Sequence, residues 1–97
     1  MAFSVLIERR IRGGHDAEVL ELLHQLRVGA LRQRGYQKGE TMVDADDPRH
    51  WLVIGTWASA DNWKAWLASA ERQAVESQLD EHLEGPAKIT VYRRLWE

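Results

Sequence analysis

From Phe3 to Ile11 the chain reads FSVLIERRI, with Phe3, Val5, Ile7 and Ile11 on one side of a two-residue alternation rich in β-branched side chains. That period predicts a strand. RGGHD breaks it, and from Asp16 to Arg34 the apolar residues Val19, Leu20, Leu22, Leu23, Leu26, Ala30 and Leu31 recur three and four apart. This is the spacing of one helix face, with Asp16 suited to the free amides at its start and Gly35 to its end. YQKGETMVDAD reads as a more polar strand, DDPRH as a turn with Pro48 at an inner position, and WLVIGTWA as a buried strand. Ser59 stands where a helix N-cap belongs, and helical spacing runs through Ala70, with a bend near Ser69, to Leu83. EGPA stops it, and KITVYRRLW is the last strand.

The order βαββαβ predicts one α+β domain over residues 1–97. Its architecture is the ferredoxin-like split βαβ unit, a four-stranded antiparallel sheet with both helices on one face. If Phe3, Val5, Ile7, Val53, Trp57, Ile89 and Val91 point at the helices, then Leu6, Leu52, Ile54, Thr90 and Tyr92 line the other face. Helices on one side leave that second patch bare. A monomer seldom leaves so much apolar surface in water, so the expected cover is a second copy, giving a homodimer that closes two sheets into a barrel.

Charge and composition narrow the partners. Thirteen Lys and Arg against fifteen Asp and Glu give a net charge of -2, without the basic excess that phosphate neutralisation needs, so nucleic acid is not expected. Cysteine is absent, which excludes disulfides, thiolate metal sites and a cysteine nucleophile. The opening MAFSVLIERR is too short in apolar residues for a signal peptide or membrane span. A cytoplasmic protein with no membrane partner is expected.

Three of the five tryptophans fall between Thr56 and Trp66. Trp57 ends a strand, while Trp63 and Trp66 sit at i and i+3 on the next helix and lean to one side. Val53, Gly55 and Trp57 alternate onto one strand face, and the missing side chain at Gly55 predicts a recess beneath the helix, walled by the three indoles. Such a recess is either a small-molecule pocket or a core filled by one indole. His15, His24, His50 and His82 share no spacing that places two as metal ligands on one helix face or strand, so no metal site is expected. His24, beside Leu20, Leu23 and Leu26, is the one candidate proton acceptor near the recess. Arg9-Arg10 and Arg93-Arg94 lie on neighbouring strands, where salt bridges with Glu8, Asp44 or Glu97 are expected.

VLIERRIRGGHDAEVLELL, GYQKGETMVDADDP and WLVIGTWASADNWKAWLASAE together resemble the antibiotic biosynthesis monooxygenase family, a group of dimeric α+β barrels. Strand-end Trp57, the Ser59 cap and Trp66 nine residues on carry the resemblance best. It implies the fold and the dimer, while the family's activities span cofactor-free quinone-forming oxygenases, haem-degrading enzymes and an isomerase. Trp57 matches the strand-end Trp of the cofactor-free oxygenases, but Val53 stands at their Asn and Trp63 at their Tyr. The haem-degrading branch is matched at Trp66, whereas Glu76 stands at its haem-ligating His and Ile7 at its strand-one Asn. Trp66 also occupies the region of the isomerase's His.

The resulting expectation is a homodimer with one apolar site per subunit, built from Ile7, Val53, Gly55, Trp57, Trp63 and Trp66. Its activity would be monooxygenation of a small planar aromatic or quinol-like molecule, without a metal or flavin of its own. The alternatives are a non-catalytic binding or sensing dimer, and a haem-binding protein using His24 or His82.

Overall fold

A computed structural model describes residues 2–96. Strand β1 (Phe3–Arg10) is central, pairing antiparallel with β3 (Asp47–Trp57) on one side and β4 (Lys88–Arg93) on the other. β2 (Tyr36–Asp44) pairs outside β3, so the strand order is β2-β3-β1-β4 and the sheet stays open. Helices α1 (Asp16–Leu31), α2 (Ala60–Ala68) and α3 (Ala70–Asp80) complete an α+β, ferredoxin-like domain.

Where the sequence predicts one bent helix there are two. Ser69 adopts extended ψ 144°, its Oγ accepts from Arg72 N at 3.2 Å, and its hydroxyl donates to Trp66 O at 2.8 Å. One residue thus closes α2, where its amide and its hydroxyl both donate to the Trp66 carbonyl, and starts α3, where its hydroxyl accepts from an otherwise free amide. Helix α1 stops at Leu31, short of the expected Arg34, and Gly35 takes φ +85° in the turn to β2. The β2–β3 reversal also comes earlier than DDPRH suggests. Asp46 N donates to Asp44 Oδ1 at 2.9 Å, an Asx-type turn, and Pro48 lies within β3 instead of in the turn. There the register jumps from Val43–Trp51 to Asp44–Asp47, and a proline fits because it has no N–H to offer.

Alternation on the strands sorts residues as expected on the inner strands. Val5, Ile7, Trp51 and Trp57 are buried toward the helices, in two apolar clusters. One gathers Ile11, Val19, Leu22, Leu23, Trp51, Leu79 and Leu83; the other holds Val5, Ile7, Ala30, Trp57, Trp63 and Trp66. Leu26 and Val53 pack against both. The expectation fails at β4. Ile89 and Val91 pair with Ile7 and Val5 and so share their face, yet both are exposed, because the helices lie over β1 and β3 and stop short of the edge. On the opposite face Leu6, Leu52, Ile54 and Thr90 are half-buried, and Met42 and Tyr92 are exposed.

Candidate functional site

Between the sheet and the helices is a partly enclosed cavity of about 70 Å³. That exceeds the room one water needs several-fold. Its floor is Val5 and Ile7 of β1 with Val53 and Gly55 of β3; Trp57, Trp63 and Trp66 wall it, and Leu26 and Ala30 of α1 close the top. All six residues expected at the recess therefore line one space. The three indoles are themselves buried, so they frame the opening while also forming core.

Local structure places each ring. Ser59 caps α2, with Asn62 N donating to Ser59 Oγ at 3.1 Å and the hydroxyl donating to Asn62 Oδ1 at 2.7 Å. This fixes where the helix begins and therefore which way Trp63 and Trp66 face. Trp57 meets Tyr36 edge-on at 5.1 Å and Trp63 edge-on at 5.9 Å, arrangements that aromatic quadrupoles favour. A Cβ at Gly55 would stand 3.2 Å from Trp57 Nε1, so the glycine admits the indole edge over the strand. A Cβ at Gly29 would come within 2.6 Å of Trp66 Cη2, so α1 approaches this ring only because residue 29 is glycine.

The cavity has a polar end. Arg9 and Arg72 line it, although only 3% and 5% exposed. Arg9 Nη2 donates to Glu76 Oε1 at 2.5 Å. Arg72 Nη2 lies 3.1 Å from the same oxygen, but at an angle that leaves its N–H without an acceptor. The Arg72 guanidinium also sits 5.3 Å from the Trp63 ring centre, a cation–π contact. Burial pushes the Arg72 pKa down, opposed by Glu76 and reinforced by Arg9. Tyr36 lines the same space, and burial raises its pKa, so its hydroxyl keeps its proton at neutral pH.

Histidine takes no part in the lining. His24 is exposed on α1, since Leu22, Leu23, Leu26 and Ala30 use the helix face turned to the sheet and position 24 falls off it. His82 meets His15 with their Nδ1 atoms 2.9 Å apart, in the region of the first apolar cluster. His50 lies at the sheet end between Asp44 and Glu8. Haem therefore finds no imidazole at this cavity. Among the described residues no three His, Asp or Glu side chains form a metal-binding group.

The expected arginine partners are corrected. Arg9 points inward to Glu76, and Arg10 bonds Asp47 at 2.7 Å and Glu84 at 3.0 Å, leaving Glu8 and Asp44 to His50. Glu97 lies outside the described residues. Arg9 follows Val5 and Ile7 by twos, so its inward direction was available from the alternation. Arg72 was not, because its position depends on the new helix that begins at Ser69.

Residues 2–78 match the model of a protein family described as antibiotic biosynthesis monooxygenase. Protein SchA of Streptomyces halstedii is 26% identical over 81 residues, covering 84% of this chain and 21% of that protein. The chain thus spans about a fifth of that relative's length. A conserved protein from Methanosarcina mazei superposes with TM-score 0.91 at 17% identity, covering 97% of this chain and 93% of that one. SnoaB, a cofactor-independent oxygenase from Streptomyces nogalater, gives 0.89 at 14%, with 99% and 95% covered. Rv0793 from Mycobacterium tuberculosis gives 0.89 at 18%, with 100% and 98% covered. At these identities the solved structures establish the fold.

Proposed function

Because the chain belongs to the antibiotic biosynthesis monooxygenase family, we propose that it is an oxygenase for a small planar phenol or quinol-like molecule, held in the indole-walled cavity. The observation that carries this reading is the cavity itself, a space between three tryptophans with apolar floor and roof. Flat apolar walls favour a flat aromatic guest.

The reaction balances without a resident redox group. A phenol with a free para C–H and one O2 give a para-quinone and one water; the substrate supplies all four electrons, one oxygen atom enters the ring, and the other leaves as water. The cofactor-independent oxygenase among the structural neighbours supports this choice. The chain's own part is to bind, orient and desolvate. The indoles fix the plane of the ring and keep water off the carbon to be oxidised, and Tyr36, which keeps its proton, lines the same space.

The test is oxygen uptake by the purified protein with a panel of phenols and hydroquinones. Saturable uptake, one O2 per quinone formed, is expected; no rate above the protein-free background with any of them would overturn the proposal.

A second reading rests on Val53 and Trp63, which bring no hydrogen-bonding oxygen or carboxamide to places where the resembling oxygenases carry Asn and Tyr. It is a binding or sensing module in which the ligand is held but not oxidised. Saturable quenching of tryptophan fluorescence without oxygen uptake would identify it. In either reading the active form is a homodimer, with the Leu6, Leu52, Ile54 and Tyr92 face covered by a second copy.

A further inference from the structure

We infer that the polar end of the cavity is an anion subsite, in which Arg9 and Arg72 hold a carboxylate carried by the planar ring. This deepens the binding-site reading above and rests on it.

Two guanidinium groups, both more than nine-tenths buried, face one carboxylate, Glu76, and both reach for the same oxygen of it. Arginine does not give up its proton in proteins, so the cluster of Arg9, Arg72 and Glu76 carries one positive charge in excess. The rest of the chamber is mostly hydrocarbon and indole, and its other charged lining residues, Arg27 and Glu40, offset each other in the count. A buried charge without a counter-ion is unfavourable, and a ligand anion removes that penalty where water or an apolar ring does not.

Hydrogen-bond donors make the same point. Arg9 Nε and Arg72 Nη2 are buried with no acceptor. Buried polar groups are nearly always paired, and two orphan donors on adjacent cavity-lining guanidiniums are placed to receive an oxyanion. A clasp between β1 and α3 needs only Arg9 and Glu76, which already bond at 2.5 Å. The second arginine is surplus to that clasp.

Orientation follows from Arg72's position 5.3 Å from the Trp63 ring centre. A ring lying along the indole wall presents a substituent in its own plane toward the guanidinium. The ligand class is therefore an aromatic carboxylate in which ring and anion are coplanar, as in a hydroxybenzoate. In a 2-hydroxybenzoate the carbon para to the hydroxyl, the one that oxidation requires, keeps its hydrogen and lies away from the arginines, among the indoles.

The experiment is an NMR titration of the full chain with 2-hydroxybenzoate and its neutral isostere 2-hydroxybenzamide, reading the indole N–H resonances. The acid is expected to bind at least about tenfold more tightly than the amide, a preference lost in Arg72→Gln. Arginine loss also removes packing, so a gain is required as well: Glu76→Gln removes the competing carboxylate and should tighten the acid several-fold while leaving the amide unchanged. Thermal melts of each variant confirm folding. Equal affinity for acid and amide, or an Arg72→Gln variant that keeps the preference, would overturn the subsite while leaving the cavity as a binding site. Binding of neither probe would overturn both. Acid binding without oxygen uptake would keep the subsite and remove the oxygenase reading.

Discussion

His50 shows what one side chain does when two carboxylates converge on it. Its Nδ1 lies 3.1 Å from Asp44 and its Nε2 3.1 Å from Glu8, joining three strands at one end of the sheet. The hydrogen bond to Asp44, then that to Glu8, raise its pKa above the ordinary histidine value. Asp44 is held below the usual carboxylate range, chiefly by the Asp46 amide and next by His50. A raised folded-state pKa means that the His50 contribution is full below about pH 6.5 and is lost as pH rises through the raised value. The Asp44 contribution has the opposite sense, present above its unfolded pKa and lost as pH falls through the depressed one. The clasp is thus strongest at mildly acidic pH. An NMR titration of the His50 ring should give a midpoint above about 6.5, moving down in Asp44→Asn; a midpoint unmoved by that change would refute the assignment. The parity of Arg9 was legible from Val5 and Ile7, but the destination of each charged tip was not, because Glu76 and Glu84 come near β1 only through tertiary folding.

Ser69 works at the scale of elements. The apolar spacing of residues 60–83 is continuous enough to read as one bent helix, and period alone does not reveal that a hydroxyl has capped both halves. Loss of the side chain frees the Arg72 amide and takes one of two hydrogen bonds from the Trp66 carbonyl, which keeps that from the Ser69 amide. Ser69→Ala is expected to cost about 1–2 kcal/mol, the upper part of the range for a lost cap. Urea unfolding with an unchanged m-value would measure it, and a cost below about 0.3 kcal/mol would show that the break is held by packing instead. The same break aims Arg72 at the cavity, so this element boundary bears on chemistry as well as stability. β2 and β3 were legible from their residue types, whereas Pro48 was assigned to the turn because the register jump that accommodates it has no signature in one strand read alone.

For the whole molecule, element order was enough to give the four-stranded antiparallel sheet, and alternation was enough to divide its two faces. The exposure of Ile89 and Val91 was not legible, since how far the helices reach across a sheet is set by packing between layers. The uncovered face bearing Leu6, Leu52 and Ile54 leads to the third expectation of scale, a dimer in solution. Sedimentation should report twice the 11.2 kDa chain mass, and Ile54→Lys, which places a charge at the middle of that face, should give the monomer. A wild-type chain sedimenting as a monomer at micromolar concentration would refute it. Apart from this face, the interior is divided. One apolar cluster, built on Ile11, Val19, Leu79 and Leu83, reaches the cavity through Leu23 alone of its buried members, and it shares the half-buried Leu26 and Val53 with the indole cluster. The consequence concerns how such a protein changes over generations. The two core clusters are largely separate, so substitutions at Trp63 or Trp66 recast what is admitted and loosen their own cluster while leaving the packing around Ile11, Val19, Leu79 and Leu83 in place.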